Sequence, residues 1–166
     1  MDYVVKADVY LAVNMDCRHI RFSDQQERVD LEQLQALFEI AAFWARDRRV
    51  EDLAIAIANS DPVITVWDNE CLVGFARATS DGIYRATIWD VVIHPDYQGA
   101  GLGRKLVQTV LSHPKICRVE RVYLMTTNQQ VFYERIGFEP NSSTTMVLHN
   151  QPLDASCPRL SAEILK

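Results

Sequence analysis

Apolar residues recur along this chain with two spacings, one typical of helices and the other typical of strands. The longest apolar run, Ala86 to Ile93, predicts a buried strand near the middle of the chain. Before it, Asp30 is placed to cap a helix whose leucines share one face, and Val50 to Asn59 predicts a second helix. Strands are predicted at His19 to Ser23, Val63 to Trp67 and Leu72 to Ala78.

The second half of the chain predicts fewer and shorter elements. A helix is predicted at Gly101 to Ser112, where the apolar residues lie on one face. A strand at Arg121 to Met125 and a short helix at Gln129 to Ile136 follow. A final strand pair is predicted at Phe138-Glu139 and Thr144 to His149. The predicted order of elements is therefore β-α-α-β-β-β-α-β-α-β-β, within one domain.

The composition is that of an ordinary globular protein, with 48% hydrophobic residues, 23% charged residues and a formal net charge of −5 over 166 residues. This acidity argues against nucleic-acid binding and is compatible with a basic substrate such as an amine. Met1 to Tyr10 lacks the apolar core of a signal peptide, and no run is long enough to span a membrane. The four cysteines have no CxxC spacing, which predicts reduced thiols in a cytoplasmic protein and no metal site.

A glycine-rich segment, Gln98 to Gly103, lies between the central strand and the following helix. Backbone N–H groups in such a loop, together with the helix dipole, favour a phosphate group. The segment is not a Walker A loop, which requires Gly-Lys followed by Ser or Thr, because Lys105 follows Arg104 and precedes Leu106. It is not a dinucleotide-binding fingerprint either, because Leu106 stands where the third glycine is required. The alternative is a tight strand-to-helix turn that binds no ligand.

The pattern Q-x-x-G-x-G of this segment, followed later by Phe132-Tyr133 and Gly137-Phe138, resembles the signature of the GNAT superfamily, the acetyl-CoA-dependent N-acetyltransferases. The resemblance implies an α+β fold (an α/β sandwich) in which helices flank a mixed, mostly antiparallel sheet. It covers residues 18–150 and leaves an N-terminal extension at 1–17 and a C-terminal tail at 151–166.

The resemblance also implies where acetyl-CoA would bind. The diphosphate is expected on the loop from Gly99 to Arg104, and the pantetheine arm along the backbone of the central strand. Asn128 matches a polar contact to that arm, with a helix N-cap as its alternative role. The implied cofactor residues are Val91, Val92, Ile93, Gln98, Gly99, Ala100, Gly101, Leu102, Gly103, Arg104, Asn128 and Tyr133.

Three residues are candidates for catalysis. Tyr133 matches the family's tyrosine, whose phenol could protonate the departing thiolate; the alternative is a packing aromatic. Asp90 is a carboxylate in an apolar run, and burial is expected to raise its pKa toward that of a useful base; the alternative is an edge aspartate at a β-bulge. Tyr97 is a second candidate hydroxyl, with packing of the turn as its alternative role.

The acceptor side is implied to include Asp90 and the loop that contains Trp44, which could stack on an aromatic amine; the alternative is a core anchor among solvated arginines. Residues 76–103 are similar to small GNAT proteins of cyanobacteria and plastids, which are associated with serotonin and other arylalkylamines in melatonin synthesis. We therefore expect an arylalkylamine N-acetyltransferase that works by direct attack in a ternary complex, as a monomer or homodimer in the cytoplasm or plastid stroma. The alternatives are a protein lysine or N-terminal acetyltransferase and a non-catalytic acyl-CoA-binding protein.

Overall fold

The computed structural model describes residues 19–149, so the predicted extension at 1–17 and tail at 151–166 lie outside the described residues. Five strands form one sheet in the order β1-β2-β3-β4-β5. Their bounds are β1 Ile20–Ser23, β2 Val63–Asp68, β3 Cys71–Ser80, β4 Arg85–Ile93 and β5 Arg121–Tyr123. The first four strands pair antiparallel and β4 pairs parallel with β5. The predicted mixed, mostly antiparallel sheet is confirmed.

Helices pack on both faces of this sheet. Their bounds are α1 Leu31–Ala41, α2 Val50–Ala58, α3 Leu102–Ser112 and α4 Gln130–Glu134. As predicted, Asp30 caps α1, because its side chain accepts hydrogen bonds from the backbone N–H groups of Glu32 and Gln33 at 3.1 and 3.0 Å. Within the described residues, no helix is long and apolar enough to cross a bilayer.

The sheet divides the core into two layers, and β4 contributes side chains to both of them. On one side, α1 and α2 bury Leu34, Phe38 and Leu53 against the sheet, and Val92 of β4 belongs to this layer. On the other side, α3 buries Leu106 and Val110 against Ile88 and Ile93 of β4. Successive side chains of a strand point to opposite faces, which is why β4 serves both layers.

Strands β4 and β5 separate soon after they pair. Their register covers Arg85 with Arg121, Ala86 with Val122, and Thr87 with Tyr123. Beyond Thr87, β4 continues to Ile93, and within the described chain no strand pairs with this edge. The separation leaves backbone hydrogen-bonding groups of β4 open to a ligand.

The predicted final strand pair at Phe138-Glu139 and Thr144 to His149 is wrong, since residues 138–149 contain no strand. Met146, Val147 and Leu148 are exposed there. The β-branched and apolar residues of Thr144 to Leu148 favour a strand only where a partner strand and a buried face are supplied. The predicted helix at Gln129 to Ile136 is also shorter than expected and covers Gln130–Glu134.

Candidate active site

The loop between β4 and α3 has the backbone conformation that its glycines suggest. Gly99 and Gly101 both have φ of +81°, and Gly101 is the residue that caps α3. A Cβ added at either position would meet no atom within 4 Å. Glycine is therefore favoured there by the positive φ alone, and not by a lack of space for a side chain. The surroundings of the loop are open, as a site for a bulky diphosphate requires.

The charge at the start of α3 suits an anion. Its first turn contains no acidic residue, and Arg104 and Lys105 are exposed beside it. Since the first N–H groups of a helix lack intrahelical partners, they add to this positive potential. The residues present therefore fit a diphosphate group.

Gln98 and Leu102 take structural roles within the same loop. The Gln98 side-chain amide donates a hydrogen bond to the carbonyl oxygen of Ile93 at 3.0 Å, which closes the loop onto the end of β4. The Leu102 side chain is buried in the core, so only its backbone could face a cofactor. The exposed positions of the segment are Gln98, Gly99, Ala100, Gly101 and Arg104.

The end of β4 presents backbone groups at alternate residues. The N–H of His94 donates to the carbonyl of Val73 at 2.8 Å, and Ile93 lies opposite Gly74. Antiparallel pairing alternates along the strand, so the N–H and C=O of Ile93 point away from β3, toward the open edge. Val92 has the opposite orientation and bonds with β3. Of the three predicted contacts to the pantetheine arm, Ile93 is thus oriented suitably and Val92 is not.

Asp90 lies on a β-bulge in β4. Phe75 pairs with Val92 and Arg77 with Trp89, so Asp90 and its neighbour Val91 together oppose a single residue of β3. Asp90 has φ of +54°, and its side chain is only 5% exposed. The bulge turns this carboxylate out of the regular alternation of the strand.

Two arginines hold the Asp90 carboxylate by the same oxygen. Oδ2 accepts hydrogen bonds from Arg77 Nε at 2.7 Å and from Arg48 Nη1 at 2.8 Å. Arg77 is itself anchored, because its Nη1 donates to Ser60 Oγ at 3.1 Å. Among residues 19–149, no group hydrogen-bonds Asp90 Oδ1. The free oxygen is the one chemically available to a substrate.

The expected rise in the pKa of Asp90 is wrong, because the structure lowers that pKa. Burial is the largest influence and alone would raise it, but the hydrogen bond from Arg48 and the positive charge of Arg77 together outweigh burial. Asp90 is therefore ionised at neutral pH. Its ion pairs stabilise the fold above the pKa of an unfolded aspartate, and that contribution is lost as the pH falls through the lower folded value.

Sequence reasoning missed both partners of Asp90. Arg77 carries no local signal, and Arg48 belongs to a loop whose arginines resembled solvated surface residues. The pairing arises only when β3, β4 and the α1–α2 loop come together.

Tyr133 lies on the other side of the sheet from the partners of Asp90. Its half-buried ring packs on the α3 layer of the core and makes edge contacts with Phe132 and Phe138 at centroid distances of 4.9 and 5.9 Å. Burial raises the pKa of the Tyr133 hydroxyl, so the phenol stays protonated throughout the neutral range. A protonated hydroxyl is what a departing thiolate requires.

Tyr97 is not brought together with Asp90. Its hydroxyl donates a hydrogen bond to Asp68 Oδ2 at 2.6 Å, and that contact raises the pKa of Tyr97 to about 12. Asp68 lies opposite Cys71 of β3, whereas Asp90 is bonded by Arg77 of the same strand. Cys71 and Arg77 are six residues apart, which corresponds to about 20 Å along β3. This geometry favours a structural role over the predicted catalytic one.

Replacing Tyr97 by phenylalanine is expected to lower the free energy of unfolding by about 1 kcal/mol, the usual cost of one hydrogen bond, and to leave kcat unchanged. Chemical denaturation and initial-rate assays would measure both, with Tyr84→Phe as an exposed control. The hydrogen bond stabilises the fold below about pH 10 and is lost as the pH rises toward 12. A kcat reduced about tenfold would instead support the catalytic role.

The remaining predicted contacts lie on loops. Asn128 is exposed, and its side chain makes no capping hydrogen bond to α4. The residue at the N-cap position is Gln129, whose backbone N–H donates to Thr126 Oγ1 at 3.1 Å. The alternative role of Asn128 as an N-cap is therefore wrong.

Trp44 is 50% exposed and contacts Phe43 edge-on at a ring-centroid distance of 5.1 Å. Trp44 is thus not a core anchor; the buried residues between α1 and α2 are Ala42 and Ala45.

Comparisons with known proteins place this chain among the acetyltransferases. The model of the GNAT acetyltransferase family matches residues 26–138. The uncharacterized N-acetyltransferase ycf52 of Pyropia yezoensis is 34% identical over 77% of this chain and 78% of its own length. Histone acetyltransferase TAP1 of Glycine max is 37% identical over 67% of this chain and 52% of its own length.

A solved structure extends the comparison to three dimensions. A protein of Xanthomonas campestris pv. campestris assigned to the GNAT acetyltransferases has a TM-score of 0.69 and 26% sequence identity, covering 78% of this chain and 94% of that one. These likenesses confirm the predicted fold and the predicted class of acetyl-transferring enzyme. None of the three names an arylalkylamine. By the family model, the shared sequence and the shared fold, the chain belongs to the GNAT acetyltransferase family.

Proposed function

We propose that this chain transfers the acetyl group of acetyl-CoA to a primary amine, by direct attack in a ternary complex. The observation that carries the proposal is the position of Asp90 Oδ1, a charged oxygen with no protein partner in the described chain, on β4 where it separates from β5. The glycine loop that fits a diphosphate begins after the same strand. One strand therefore joins the two halves of a two-substrate site.

Acetyl-CoA, when bound, would supply the acetyl thioester, and two features of the chain would hold it. The N–H groups at the start of α3 and the Arg104 side chain would contact the diphosphate. The outward N–H of Ile93 would pair with an amide of the arm, as an added strand pairs with a sheet edge. Both features support acetyl-CoA as the co-substrate, and neither requires a metal.

Asp90 would hold the amine and orient its nitrogen. Because its pKa is lowered, Asp90 is a weaker base than an alkylamine, whose pKa is about 10. It therefore does not keep the amine's proton. Instead, its fixed negative charge attracts the ammonium form and accepts an N–H hydrogen bond. One proton would leave to water to free the nitrogen lone pair for attack; a second would leave the nitrogen after the C–N bond forms, as the C–S bond breaks, and would balance the departing thiolate.

Tyr133 would act on the departing sulfur. The raised pKa of its hydroxyl keeps the proton available, and the phenol would donate a hydrogen bond as negative charge develops on the thiolate. Asp90 and Tyr133 pack on opposite layers of the core. An acetyl group passing between β4 and β5 would thus meet one on each side.

Replacing Tyr133 by phenylalanine is expected to lower kcat by about tenfold, since a thiolate with a pKa of about 8.5 is already a moderate leaving group. The KM for acetyl-CoA should stay within about twofold, because the ring is retained. Initial rates of thiol release would measure both, with Tyr123→Phe as a control on β5. An unchanged kcat in Tyr133→Phe would contradict the proposed role.

An aromatic amine is the acceptor that the exposed side chains favour. Phe43 and Trp44 lie in the α1–α2 loop, and Arg48 of that same loop bonds Asp90. The same loop thus presents the aromatic side chains and contacts Asp90 through Arg48. A substrate with an aromatic ring and a terminal amine could bind both groups. The relative from Glycine max, named a histone acetyltransferase, supports a protein amine as the second candidate.

A thiol-release screen with acetyl-CoA tests these candidates against serotonin, tryptamine, polyamines and lysine peptides. We expect the two aromatic amines to exceed the polyamines in kcat/KM by about tenfold or more. Preference for lysine peptides would favour the protein acetyltransferase instead. Tight acetyl-CoA binding with no thiol release from any acceptor would favour a non-catalytic binding protein.

A further inference from the structure

Arg48 connects the α1–α2 loop with the catalytic strand. Its Nη1 lies 2.8 Å from Asp90 Oδ2, its guanidinium lies 5.6 Å from the centre of the Phe38 ring, and its carbonyl accepts a hydrogen bond from Gln35 at 3.0 Å. The side chain is 34% exposed. Arg48 is therefore fixed by α1 at its backbone and by β4 at its charged end.

The other arginines of the loop do not make this connection. Arg49 forms an ion pair with Asp52, three residues along α2, and both side chains are well exposed. Arg46 is exposed, and among residues 19–149 it has no ion-pair partner. Within the described chain, Arg48 is thus the loop's ionic link to the site.

Arg48 is not needed merely to neutralise Asp90. Arg77 already donates to the same oxygen at 2.7 Å and is held in place by Ser60. Arg77 belongs to β3, in the middle of the sheet, whereas Arg48 belongs to a loop. Removal of the Arg48 side chain would leave Asp90 paired with Arg77 but would remove the loop's ionic link to β4. The second guanidinium therefore serves to position the loop.

We propose that Arg48 is a positioning residue that fastens the loop from Phe43 to Arg49 to Asp90 and thereby determines how tightly the acceptor amine binds. The loop presents Phe43 and Trp44, which contact each other edge-on. With the loop fastened, this aromatic pair and Asp90 keep a fixed spacing, and a substrate bound by both does not have to order the loop. The effect of Arg48 on amine binding rests on the proposed function, whereas its attachment of the loop to Asp90 does not.

Hydrogen-exchange mass spectrometry of Arg48→Met, Arg48→Lys and Arg49→Met tests the fastening directly. In Arg48→Met we expect the backbone amides of residues 43–49 to exchange about five- to tenfold faster than in the wild type. Arg48→Lys should exchange at an intermediate rate, because a lysine keeps the charge but not the planar fork. Arg49→Met removes an exposed ion pair from the same loop and should leave the exchange unchanged.

Steady-state kinetics of the same variants tests the effect on the amine. Arg48→Met should raise the KM for the preferred amine by about tenfold and leave the KM for acetyl-CoA within about twofold. If the wild type releases no thiol, the amine Kd from calorimetry replaces KM, and the exchange data still decide on the fastening. Unchanged exchange in Arg48→Met overturns the proposal, as does faster exchange with unchanged amine affinity.

Discussion

Replacing Asp90 by asparagine is expected to lower kcat by about 10²-fold while acetyl-CoA still binds. Asparagine has the same shape and keeps an oxygen for Arg77 and Arg48, so the loop and the bulge should persist. It lacks the negative charge, however, and an amide NH2 group takes the place of the free oxygen, so that position can neither attract an ammonium group nor accept its N–H hydrogen bond. Two uncompensated guanidinium groups would add to the effect by repelling a cationic substrate.

Initial rates and calorimetric binding of acetyl-CoA, measured on Asp90→Asn and on Asp52→Asn, separate this effect from a general loss of stability. Asp52 also pairs with an arginine, but both side chains lie on the surface of α2, so its replacement should change neither quantity. Wild-type turnover in Asp90→Asn would contradict the proposed role. Loss of acetyl-CoA binding as well would show that the substitution disturbs the strand itself.

Replacing Gly101 by aspartate is expected to weaken acetyl-CoA binding by about 10²-fold. Gly101 has φ of +81° and caps α3, so an aspartate there is both strained in its backbone and negatively charged where the diphosphate is expected. The effect on kcat at saturating acetyl-CoA should be small, because the reacting groups lie on β4 and α4.

Gly82→Asp is a matched control for Gly101→Asp. Gly82 has φ of +80°, and a Cβ there also meets no atom within 4 Å. Both variants therefore carry the same backbone strain, and their losses in the free energy of unfolding should agree to within about 1 kcal/mol. Only Gly101→Asp should change the Kd for acetyl-CoA. A Kd that is the same in both variants would place the diphosphate elsewhere.

The parts of the fold that were predicted correctly rest on local signals. The apolar run from Ala86 to Ile93 predicts β4 to within one residue, and the cap at Asp30 marks the start of α1. The segment from Thr144 to His149 shows the limit of such signals. Its pattern is suited to a strand, but a strand forms only where a partner is available, and that depends on residues far away in the sequence.

The difference between local signals and long-range contacts also explains which features of the candidate active site could be predicted from the sequence. Positive φ at Gly99 and Gly101 could be anticipated, because only glycine adopts it without strain. The pKa of Asp90 could not, since its direction depends on Arg77, thirteen residues away, and on Arg48 in a separate loop. The position of Tyr97 beside the glycine loop indicates a hydroxyl near the cofactor, but the three-dimensional contact with Asp68 directs that hydroxyl elsewhere.

A crystal structure of the complete chain with coenzyme A and an acetylated aromatic amine would test the central claim most directly. We predict the diphosphate on the N–H groups at the start of α3, the arm along the open edge of β4, and the amide nitrogen of the product within hydrogen-bond distance of Asp90 Oδ1. A product bound away from Asp90, or a diphosphate bound away from the glycine loop, would contradict this account.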